Sequence, residues 1–372
     1  MPPIDLDAIA ADFAPSLAND AAARDVDGVF AEANHELLRA HGIPAAMVPE
    51  ELGGGGASHR AMAGFLRAIA RANPSTALAT AMHQHLVATS LFNDRRGKPG
   101  RKLLQAVADG QKILVSTGAN DWMESNGSSE KVDGGYRVNA VKPFASGSPV
   151  AQMMVTSVRH ADAEAGDQVL HFAVPLSAPG ITLAGDWDAL GMRESGSQTI
   201  LLEDVFVPDA AVSLKRPQHG YCVLFDAVVP CALPLIMSAY LGAAEAGCDI
   251  ALEQARKRGG DEVTAYAVGD MLNALTIARI TVADMLAIAD DLAFEACVEV
   301  TDAMLARKTI AANAVIAAAE KALEAAGGSG FFRKLGLEKL LRDVHAAQFH
   351  PLPEKRQHRF TGRHALGLDP VG

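Results

Sequence analysis

The stretch WDALGMRESGSQTILLEDVFVP, residues 187–208, lies where the character of the chain changes. Its second half is rich in β-branched residues and ends at Pro208, which predicts that the last strand of a sheet terminates there. Before it come short segments of the same character, separated by Gly, Asp and Pro: KILVST, GYRVNAVKPFASG, AQMMVTSVRH and QVLHFAVPL. Residues 113–214 are therefore predicted to form a block of antiparallel strands.

Helical patterns lie on both sides of this block. Residues 1–112 are rich in Ala, and in residues 59–92 apolar side chains recur every three or four positions. Long Ala/Leu patterns return after the strands and predict three or four helices of 20 or more residues. We expect an α+β, mainly α protein: an N-terminal helical domain (1–112), a middle antiparallel β-domain (113–214) and a C-terminal four-helix bundle (215–372).

Composition excludes several classes of function. The 372 residues are 49% hydrophobic and 21% charged, and the net charge of −11 argues against a nucleic-acid partner. No uninterrupted apolar run approaches the ~20 residues of a membrane span. The N-terminal MPPIDLDAIAADFAP does not have the basic-then-apolar pattern of a signal peptide. The four cysteines are scattered and lack metal-ligand spacing, which indicates reduced thiols. Together with the lack of a signal pattern and of a long apolar run, this predicts a cytoplasmic protein without a membrane partner.

Four stretches occur in an order that indicates a family. MVPEELGGGGAS (47–58) contains a Pro-Glu-Glu-x-Gly-Gly turn, and GGYRVNAVKPFASGS (134–148) has the pattern of paired strands. Residues 187–208 combine Leu-Gly-Met-Arg with Val-Phe-Val-Pro, and AAGGSGFFRKLGLEKLLRD (325–343) combines Gly-Gly with Arg-Asp. Together they resemble the acyl-CoA dehydrogenase superfamily along nearly the whole chain.

The resemblance implies a flavin between the β-domain and the bundle, either FAD or FMN. A flavin carries the redox chemistry itself, while the protein orients it and supplies hydrogen bonds and a base. The loop that carries Ser116 and Thr117 lacks the acid and the proline of the family pattern, and the segment after Arg258 lacks the family's Phe-Gly and Phe-Gln. These departures leave FMN possible. The implied flavin contacts are Ser116, Thr117, Ser146, Gly147, Arg258, Gly327 and Gly328.

The catalytic base of the dehydrogenases is missing at both of its usual positions. In that family a Glu commonly follows the Arg of the Arg-Asp pair by nine residues, and counting from Arg342 this position is Pro351. Other members place the Glu on the first long helix of the bundle, where residues 228–242 contain no acid. Proline cannot transfer a proton, so another group is required.

Flavin-dependent monooxygenases of the same fold, such as the dibenzothiophene and steroid hydroxylases, resemble this chain more closely at the site. They have a histidine at the position of His350, and an imidazole is suited to proton transfer near pH 7. They present a hydroxyl near the flavin, which makes Ser146 the candidate here. They also have histidines on the helix that carries His83 and His85. Two residues apart on a helix, these point in different directions, so one is expected to face the site. No third ligand accompanies them, and no metal is expected.

Three functions stay open from the sequence. The first is a monooxygenase that receives reduced flavin from a separate reductase and acts on a small apolar or aromatic substrate. The second is an acyl-CoA dehydrogenase with an electron-transfer flavoprotein as its partner, in which Glu354 is a displaced base. The third is a non-catalytic flavoprotein. The apolar stretch 282–300 further predicts a homodimer or homotetramer formed through the bundle.

Overall fold

The computed structural model describes residues 4–117, 123–259 and 261–372. Six helices form the N-terminal domain: α1 (Leu6–Ala18), α2 (Ala21–Asp27), α3 (Glu32–Ala40), α4 (His59–Ala70), α5 (Pro74–Asp94) and α6 (Arg101–Gly110). Helix α5 begins at Pro74, and the Asn73 side chain accepts a hydrogen bond from the Thr76 backbone N–H at 2.9 Å. Most of α5 is buried, which makes it the central helix of this domain.

The middle domain consists of two four-stranded sheets packed around an apolar core. Sheet order is β1-β4-β5-β8 in one and β2-β3-β7-β6 in the other. The strands are β1 (Leu114–Ser116), β2 (Ser128–Val132), β3 (Gly135–Ala145), β4 (Met153–Asp162), β5 (Gly166–Pro175), β6 (Ile181–Leu183), β7 (Gln198–Pro208) and β8 (Val212–Pro217). Buried and exposed residues alternate along β3, because one face of the strand packs against the core.

The middle β-domain was predicted correctly, and the structure differs from the expectation in its details. The pairing is antiparallel except that β1 runs parallel to β4, because the chain enters β1 directly from α6 and crosses to the other sheet before β4. Strand β7 ends at Pro208 as predicted, but β8 follows and pairs with β5. Pro208 therefore does not end the last strand, and the predicted boundary at residue 214 falls inside β8.

The C-terminal domain contains three helices longer than 20 residues and two shorter ones: α7 (Leu224–Lys257), α8 (Glu262–Ala289), α9 (Val298–Ala326), α10 (Leu337–Val344) and α11 (Glu354–Ala365). The apolar stretch 282–300 is not one helix. Helix α8 ends at Ala289, and Asp290 and Asp291 adopt positive φ values of 41° and 49°, which no α-helix continues through. Aspartate tolerates this conformation better than most residues.

Among the described residues, two spans have the length and hydropathy of membrane-crossing helices. Within the most apolar window of Leu224–Lys257, 94% of the residues are buried in the protein, as expected for a core helix. The corresponding fraction for Glu262–Leu292 is 28%, so α8 presents an apolar surface that the chain itself does not cover. The prediction that no apolar run approaches the length of a membrane span overlooked both helices, because single polar residues interrupt their apolar sequences.

Buried charges fix α10 against the segment that precedes β7. The Glu194 carboxylate is fully buried and accepts hydrogen bonds from Arg24 Nε at 2.7 Å and Asn73 Nδ2 at 3.1 Å. Lys339 Nζ lies 3.4 Å from Glu194 and 2.8 Å from Asp343. Asp343 in turn accepts from the Met192 backbone N–H at 2.5 Å. The Arg-Asp pair of the sequence motif is therefore part of a structural network.

Candidate active site

The first cavity, of about 720 Å³, lies between the β-domain, α5, α7 and the segment from α10 to α11. Its volume is within the range of small-molecule and cofactor sites. Apolar side chains and a few convergent polar groups line it, including Ser116, Ser146, Tyr240 and His350. Of the predicted flavin contacts, Ser116, Thr117 and Ser146 line this cavity, and the predicted catalytic residue His350 lines it as well.

Ser146 presents its hydroxyl to this cavity at the end of β3. The pairing of β3 with β7 is irregular between Lys142 and Ala145, and Phe144 there has a φ of 60°. Ser146 Oγ lies 2.8 Å from Ser197 Oγ, which lies 2.7 Å from Ser195 Oγ. This chain of three hydroxyls fixes the Ser146 rotamer while leaving hydrogen-bonding capacity toward the cavity.

Gly147 follows Ser146 with a φ of +78°, in the region that favours glycine. Its backbone N–H donates to the Ser195 carbonyl at 2.9 Å, so the predicted flavin contact at this position is engaged within the protein. The glycine allows the chain to turn directly after Ser146 and keeps the hydroxyl on the cavity wall.

His350 forms a hydrogen-bonded pair with Tyr240, 2.7 Å between Nε2 and the phenol oxygen. Burial, with nearby Lys308 and His85, lowers the pKa of His350 to about 3, and burial raises the pKa of Tyr240 well above its usual value. Both groups are therefore neutral at physiological pH. The direction of the hydrogen bond is set by the imidazole tautomer.

Lys308 of α9 supports the segment that carries His350. Its side chain is 1% exposed, and Nζ donates to the carbonyls of Gln348 at 3.3 Å and Leu352 at 3.2 Å. These two carbonyls bracket His350 in the chain. Burial lowers the pKa of Lys308 to about 8, partly opposed by the charge of Glu354.

The two histidines of α5 have different roles. His83 is held by backbone groups at both ring nitrogens: Nε2 lies 2.8 Å from the Pro44 carbonyl, and Nδ1 accepts from the Leu114 N–H at 2.9 Å. It links the N-terminal domain to β1 and lines neither cavity, so its prediction as a catalytic group has no support in the geometry. His85 lines both cavities, and burial lowers its pKa to about 4.

The second cavity, of about 710 Å³, adjoins the first. The two share His85, Ser116 and Thr117, which we call the junction. Thr117 Oγ1 lies 2.9 Å from Thr156 Oγ1. Ser116 is 6% exposed, and its Oγ has no hydrogen-bond partner among the described residues. Leaving a buried hydroxyl without a hydrogen-bond partner costs free energy, which indicates that a bound ligand supplies the missing partner. Residues 118–122 of the predicted flavin loop lie outside the described residues.

Arg258, Gly327 and Gly328 do not line either cavity. Arg258 Nη2 donates to the Ala325 carbonyl at 2.6 Å and Nη1 donates to the Ala326 carbonyl, so the guanidinium caps the end of α9. Gly327 has a φ of +63°, in the region that favours glycine. Within one chain, Arg258 therefore caps a helix, and it lies apart from the residues of the first cavity that are predicted to contact the flavin ring.

Glu354 lies outside both cavities, in the first turn of α11. Its carboxylate accepts hydrogen bonds from Asn313 Nδ2 and Lys355 Nζ, each at 3.0 Å. These two contacts lower its pKa. The carboxylate is therefore tied to the surface and does not reach the cavity as a displaced base.

Sequence reasoning missed Tyr240, Ser197 and Lys308. Tyr240 lies within residues 228–242, the segment considered only for its lack of an acid. A tyrosine in an otherwise apolar buried helix usually has a partner for its hydroxyl, and this signal was available. Ser197 and Lys308 gave no comparable signal, because their contacts join segments that are distant in sequence.

Three family models match the chain in order. They describe the N-terminal domain of acyl-CoA dehydrogenase (residues 6–111), its middle domain (110–205) and its C-terminal domain (235–354). Amino sugar nitrososynthase DnmZ of Streptomyces peucetius is 30% identical, over 91% of this chain and 87% of that protein. Dibenzothiophene monooxygenase of Rhodococcus erythropolis is 26% identical, over 94% and 90%.

A solved structure is also similar over the whole chain. KijD3 in complex with FMN and dTDP-3-amino-2,3,6-trideoxy-4-keto-3-methyl-D-glucose has a TM-score of 0.90 at 25% identity, covering 100% of this chain and 96% of that one. These relatives confirm the predicted fold and the flavin, and they favour oxygen chemistry over thioester dehydrogenation. The chain therefore belongs to the acyl-CoA dehydrogenase family and is a flavin-dependent oxidative enzyme of its monooxygenase and nitrososynthase branch.

Proposed function

We propose that the enzyme takes up reduced flavin in the first cavity and transfers one oxygen atom of O₂ to a molecule bound in the second. The observation that carries this proposal is the neutral His350–Tyr240 pair at the position where a dehydrogenase needs a carboxylate. The carboxylates that line the first cavity, Asp186 and Asp188, are exposed, and Asp188 is paired with Arg193 at 2.6 Å. Neither of these two is buried. Asp343, the buried carboxylate whose charge contributes to the raised pKa of Tyr240, is paired with Lys339 at 2.8 Å.

The first cavity fits a flavin by the chemistry of its walls. A flavin ring needs apolar contacts on its faces and hydrogen bonds at its edge, and the hydroxyls of Ser116, Thr117 and Ser146 supply the latter. The unpartnered Ser116 Oγ is the clearest sign that a polar group belongs there. When bound in reduced form, the flavin supplies the two electrons that activate O₂, and the second oxygen atom leaves as water.

The residues of this chain control protons and water around that chemistry. His350 and Tyr240 share one hydrogen between Nε2 and the phenol oxygen. This neutral pair can relay a proton when one proton enters it as another leaves, so that no net charge remains buried. Lys308 keeps the His350 segment in place. His85, neutral because burial lowers its pKa to about 4, can accept a hydrogen bond from a substrate at the junction.

The substrate group that reacts is small and uncharged: apolar, aromatic or an amine in its free-base form. The second cavity has no aspartate or glutamate among its described lining residues, so it offers no carboxylate to an ammonium group. The amino sugar nitrososynthase among the relatives makes an amine the first choice for screening.

The test is a coupled assay with FMN or FAD, a separate flavin reductase and a panel of amines and aromatics. Substrate-dependent oxygen consumption with an oxygenated product is expected. Bleaching of bound flavin by acyl-CoA thioesters under anaerobic conditions would instead contradict the proposal, because it is the reaction of a dehydrogenase.

Glu354→Gln is expected to change product formation by less than about twofold, since a solvated carboxylate on the surface does not act on the site. The measurement is the rate of product formation and the fraction of oxygen recovered in product, wild type against variant. A loss of activity comparable to that of a catalytic residue would return Glu354 to the role of base.

We propose a homodimer or homotetramer formed through the exposed face of α8. Its apolar side chains on this face include Tyr266 at 72% exposed, Ile277 at 52% and Ile280 at 65%. Such a face is larger than isolated exposed apolar residues explain, which supports its burial against a second copy of the chain.

Ile277→Glu with Ile280→Glu is expected to lower the oligomeric state, because two buried charges at the interface cannot be paired there. Sedimentation velocity at micromolar concentration measures the mass. Glu130→Lys, a charge change at an exposed position of β2 in the middle domain, serves as a control. A wild-type monomer, or a double variant with unchanged mass, would contradict the interface.

We further propose a cytoplasmic location and supply of reduced flavin by a separate reductase. All four cysteines are free, which agrees with a reducing compartment. The family models that match residues 6–205 and 235–354 describe domains of acyl-CoA dehydrogenase and no nicotinamide-binding domain, which supports a separate source of electrons.

Lys308→Met is expected to remove a specific pH dependence of stability. Below pH 8 the lysine is charged in both states, whereas between pH 8 and 10.5 the unfolded state still binds the proton that the folded state has released. The free energy of unfolding of the wild type therefore gains at most about 3 kcal/mol through this window relative to the variant. Urea denaturation at about pH 7.5 and about pH 10 measures the difference. Lys355→Met, at an exposed position, should leave the pH dependence unchanged.

A further inference from the structure

His171 is a polar side chain in the wall of the second cavity that the proposed chemistry does not use. It lies on β5 between Leu170 and Phe172, which are both 1% exposed and belong to the core between the two sheets. Because successive side chains of a strand point to opposite faces, His171 lies on the other face of its sheet, which borders the cavity. The cavity therefore has an imidazole on its β-domain wall as well as His85 on its helical wall.

Arg216 fixes the position of the hydrogen on this imidazole. Its Nε donates to His171 Nε2 at 3.0 Å, and a guanidinium has donors but no acceptor. Nε2 must therefore be the acceptor, so the hydrogen of the neutral ring is on Nδ1. Arg216 is 3% exposed, and its other nitrogens donate to the carbonyls of Pro217 at 3.1 Å and Met123 at 2.8 Å, which hold it against the ring.

The imidazole of His171 is neutral at physiological pH. Burial, followed by the nearby charges of Arg216 and Lys142, lowers the pKa of His171 to about 3. A protonated ring would also place an N–H group against the Arg216 donor. Most histidines can exchange their donor and acceptor nitrogens, whereas this one is held in a single arrangement, with Nδ1–H as its donor.

The Nδ1–H group is available to a ligand. Nδ1 has no hydrogen-bond partner among the residues that the structure describes, and nearby lining residues such as Leu214 and Phe225 are apolar. A molecule that fills the cavity displaces the water that would otherwise accept from this group. Unless that molecule carries an acceptor, the donor is left buried and unpaired, which costs binding free energy.

The geometry of the sheet places this donor away from the junction. Ser116 pairs with Val155, Val155 pairs with Ala173, and His171 lies two residues from Ala173 along β5. With ~4.8 Å between strands and ~3.4 Å per residue, the Cα atoms of Ser116 and His171 are separated by ~12 Å. A substrate group that contacts His171 is therefore remote from the reacting group, and it affects which molecules bind rather than how they react.

We infer that His171 is a specificity-determining residue, whose Nδ1–H donates to an acceptor oxygen, such as that of a carbonyl, on the part of the substrate that lies away from the reacting group. A site with a donor of fixed position rejects analogues that lack the matching acceptor. This inference rests on the proposed function, because it assumes that the substrate occupies the second cavity.

Nitrogen NMR of the FMN-loaded enzyme with isotope-labelled histidine tests the fixed tautomer. The chain has 12 histidines, so the signals of His171 are assigned by their loss in His171→Gln. We expect a neutral ring with its hydrogen on Nδ1 at neutral pH. His219→Gln, at an exposed position outside both cavities, should leave these signals unchanged. A hydrogen on Nε2, or a charged ring at neutral pH, would overturn the inference.

Binding of two matched probes to the same enzyme tests the contact itself. Deoxybenzoin and bibenzyl each have two aromatic rings joined by two carbons, and they differ by a carbonyl in place of one CH₂ group. We expect deoxybenzoin to bind about threefold to tenfold more tightly, the effect of one neutral hydrogen bond. Its carbonyl infrared band should also move to lower frequency on binding, as it does when a carbonyl accepts a hydrogen bond.

Two substitutions at His171 separate donation from packing. His171→Phe should abolish both the preference for deoxybenzoin and the infrared shift. His171→Gln should keep both, because its amide oxygen can accept from Arg216 while its NH₂ group donates into the cavity. If His171→Phe fails to fold, because Arg216 loses a buried acceptor, the tautomer and the glutamine variant still decide.

A wild type without preference between the probes, including one that binds neither, would overturn the inference, as would an unchanged preference in His171→Phe. Failure to bind FMN, or bleaching of the flavin by acyl-CoA thioesters, contradicts the proposed function instead. The two failures are therefore distinguishable.

Discussion

His350→Ala is expected to bind flavin as the wild type does and to release most of the consumed oxygen as hydrogen peroxide. The substitution removes the partner of the Tyr240 hydroxyl, 2.7 Å away, and opens a route for water into a site that Phe349 and Pro351 otherwise border. Loss of one positioned proton-transfer group typically costs ~10²–10⁴ in rate. The flavin contacts at Ser116 and Ser146 lie on other elements and should be unaffected.

The measurement is the ratio of oxygenated product to peroxide under the same supply of reduced flavin. Tyr240→Phe keeps the ring and loses only the hydroxyl, so it should uncouple the reaction less. Because the pair acts as a unit, the double variant should be no worse than His350→Ala alone. Unchanged coupling in His350→Ala would assign the histidine to packing.

The pH dependence of coupling provides a second check on His350. A histidine with its usual pKa would produce an inflection near neutrality, but burial lowers the pKa of His350 to about 3. The imidazole is neutral from there upward, so no inflection that His350→Ala abolishes is expected near neutral pH. The sequence suggested a histidine that transfers protons by titrating near pH 7. The burial of His350 rules this out, because it lowers the pKa far below neutrality.

Glu194→Ala is expected to lower the free energy of unfolding by about 3–5 kcal/mol, since it removes one partner from a buried ion network. Arg24, Asn73 and Lys339 all direct polar groups at this carboxylate, and each would be left underbonded. The network also anchors Met192 on the wall of the first cavity through Asp343, so weaker flavin binding should accompany the loss of stability.

Urea denaturation measures the first effect and flavin titration of the folded fraction measures the second. Glu253→Ala is the matched control, because Glu253 pairs with Lys257 on an exposed helix face at 2.5 Å. Such a solvent-exposed pair contributes little to stability. A loss for Glu194→Ala no larger than that of the control would show that the network is replaceable by water.

The sequence determined the order of the elements and the family. The patterns that identified the elements are helical periodicity before residue 112, short β-branched segments in the middle and long apolar helices at the end. They involve residues close together in sequence, so they can be identified without knowledge of the fold. It also determined what was absent: a carboxylate at the position of Pro351 or in residues 228–242. His350 and Ser146 were found because they lie next to motifs.

Only the tertiary structure decided which of these residues act together. His83 and His85 are two positions apart, yet backbone groups hold both nitrogens of one ring while the other ring borders two cavities. Tyr240 reaches His350 across 110 residues of sequence, and Lys308 reaches the same segment from α9. Burial, which lowers the pKa of His350, arises from neighbours that periodicity cannot identify. Contacts between distant segments and the desolvation they cause are properties of packing, and a one-dimensional pattern does not contain them.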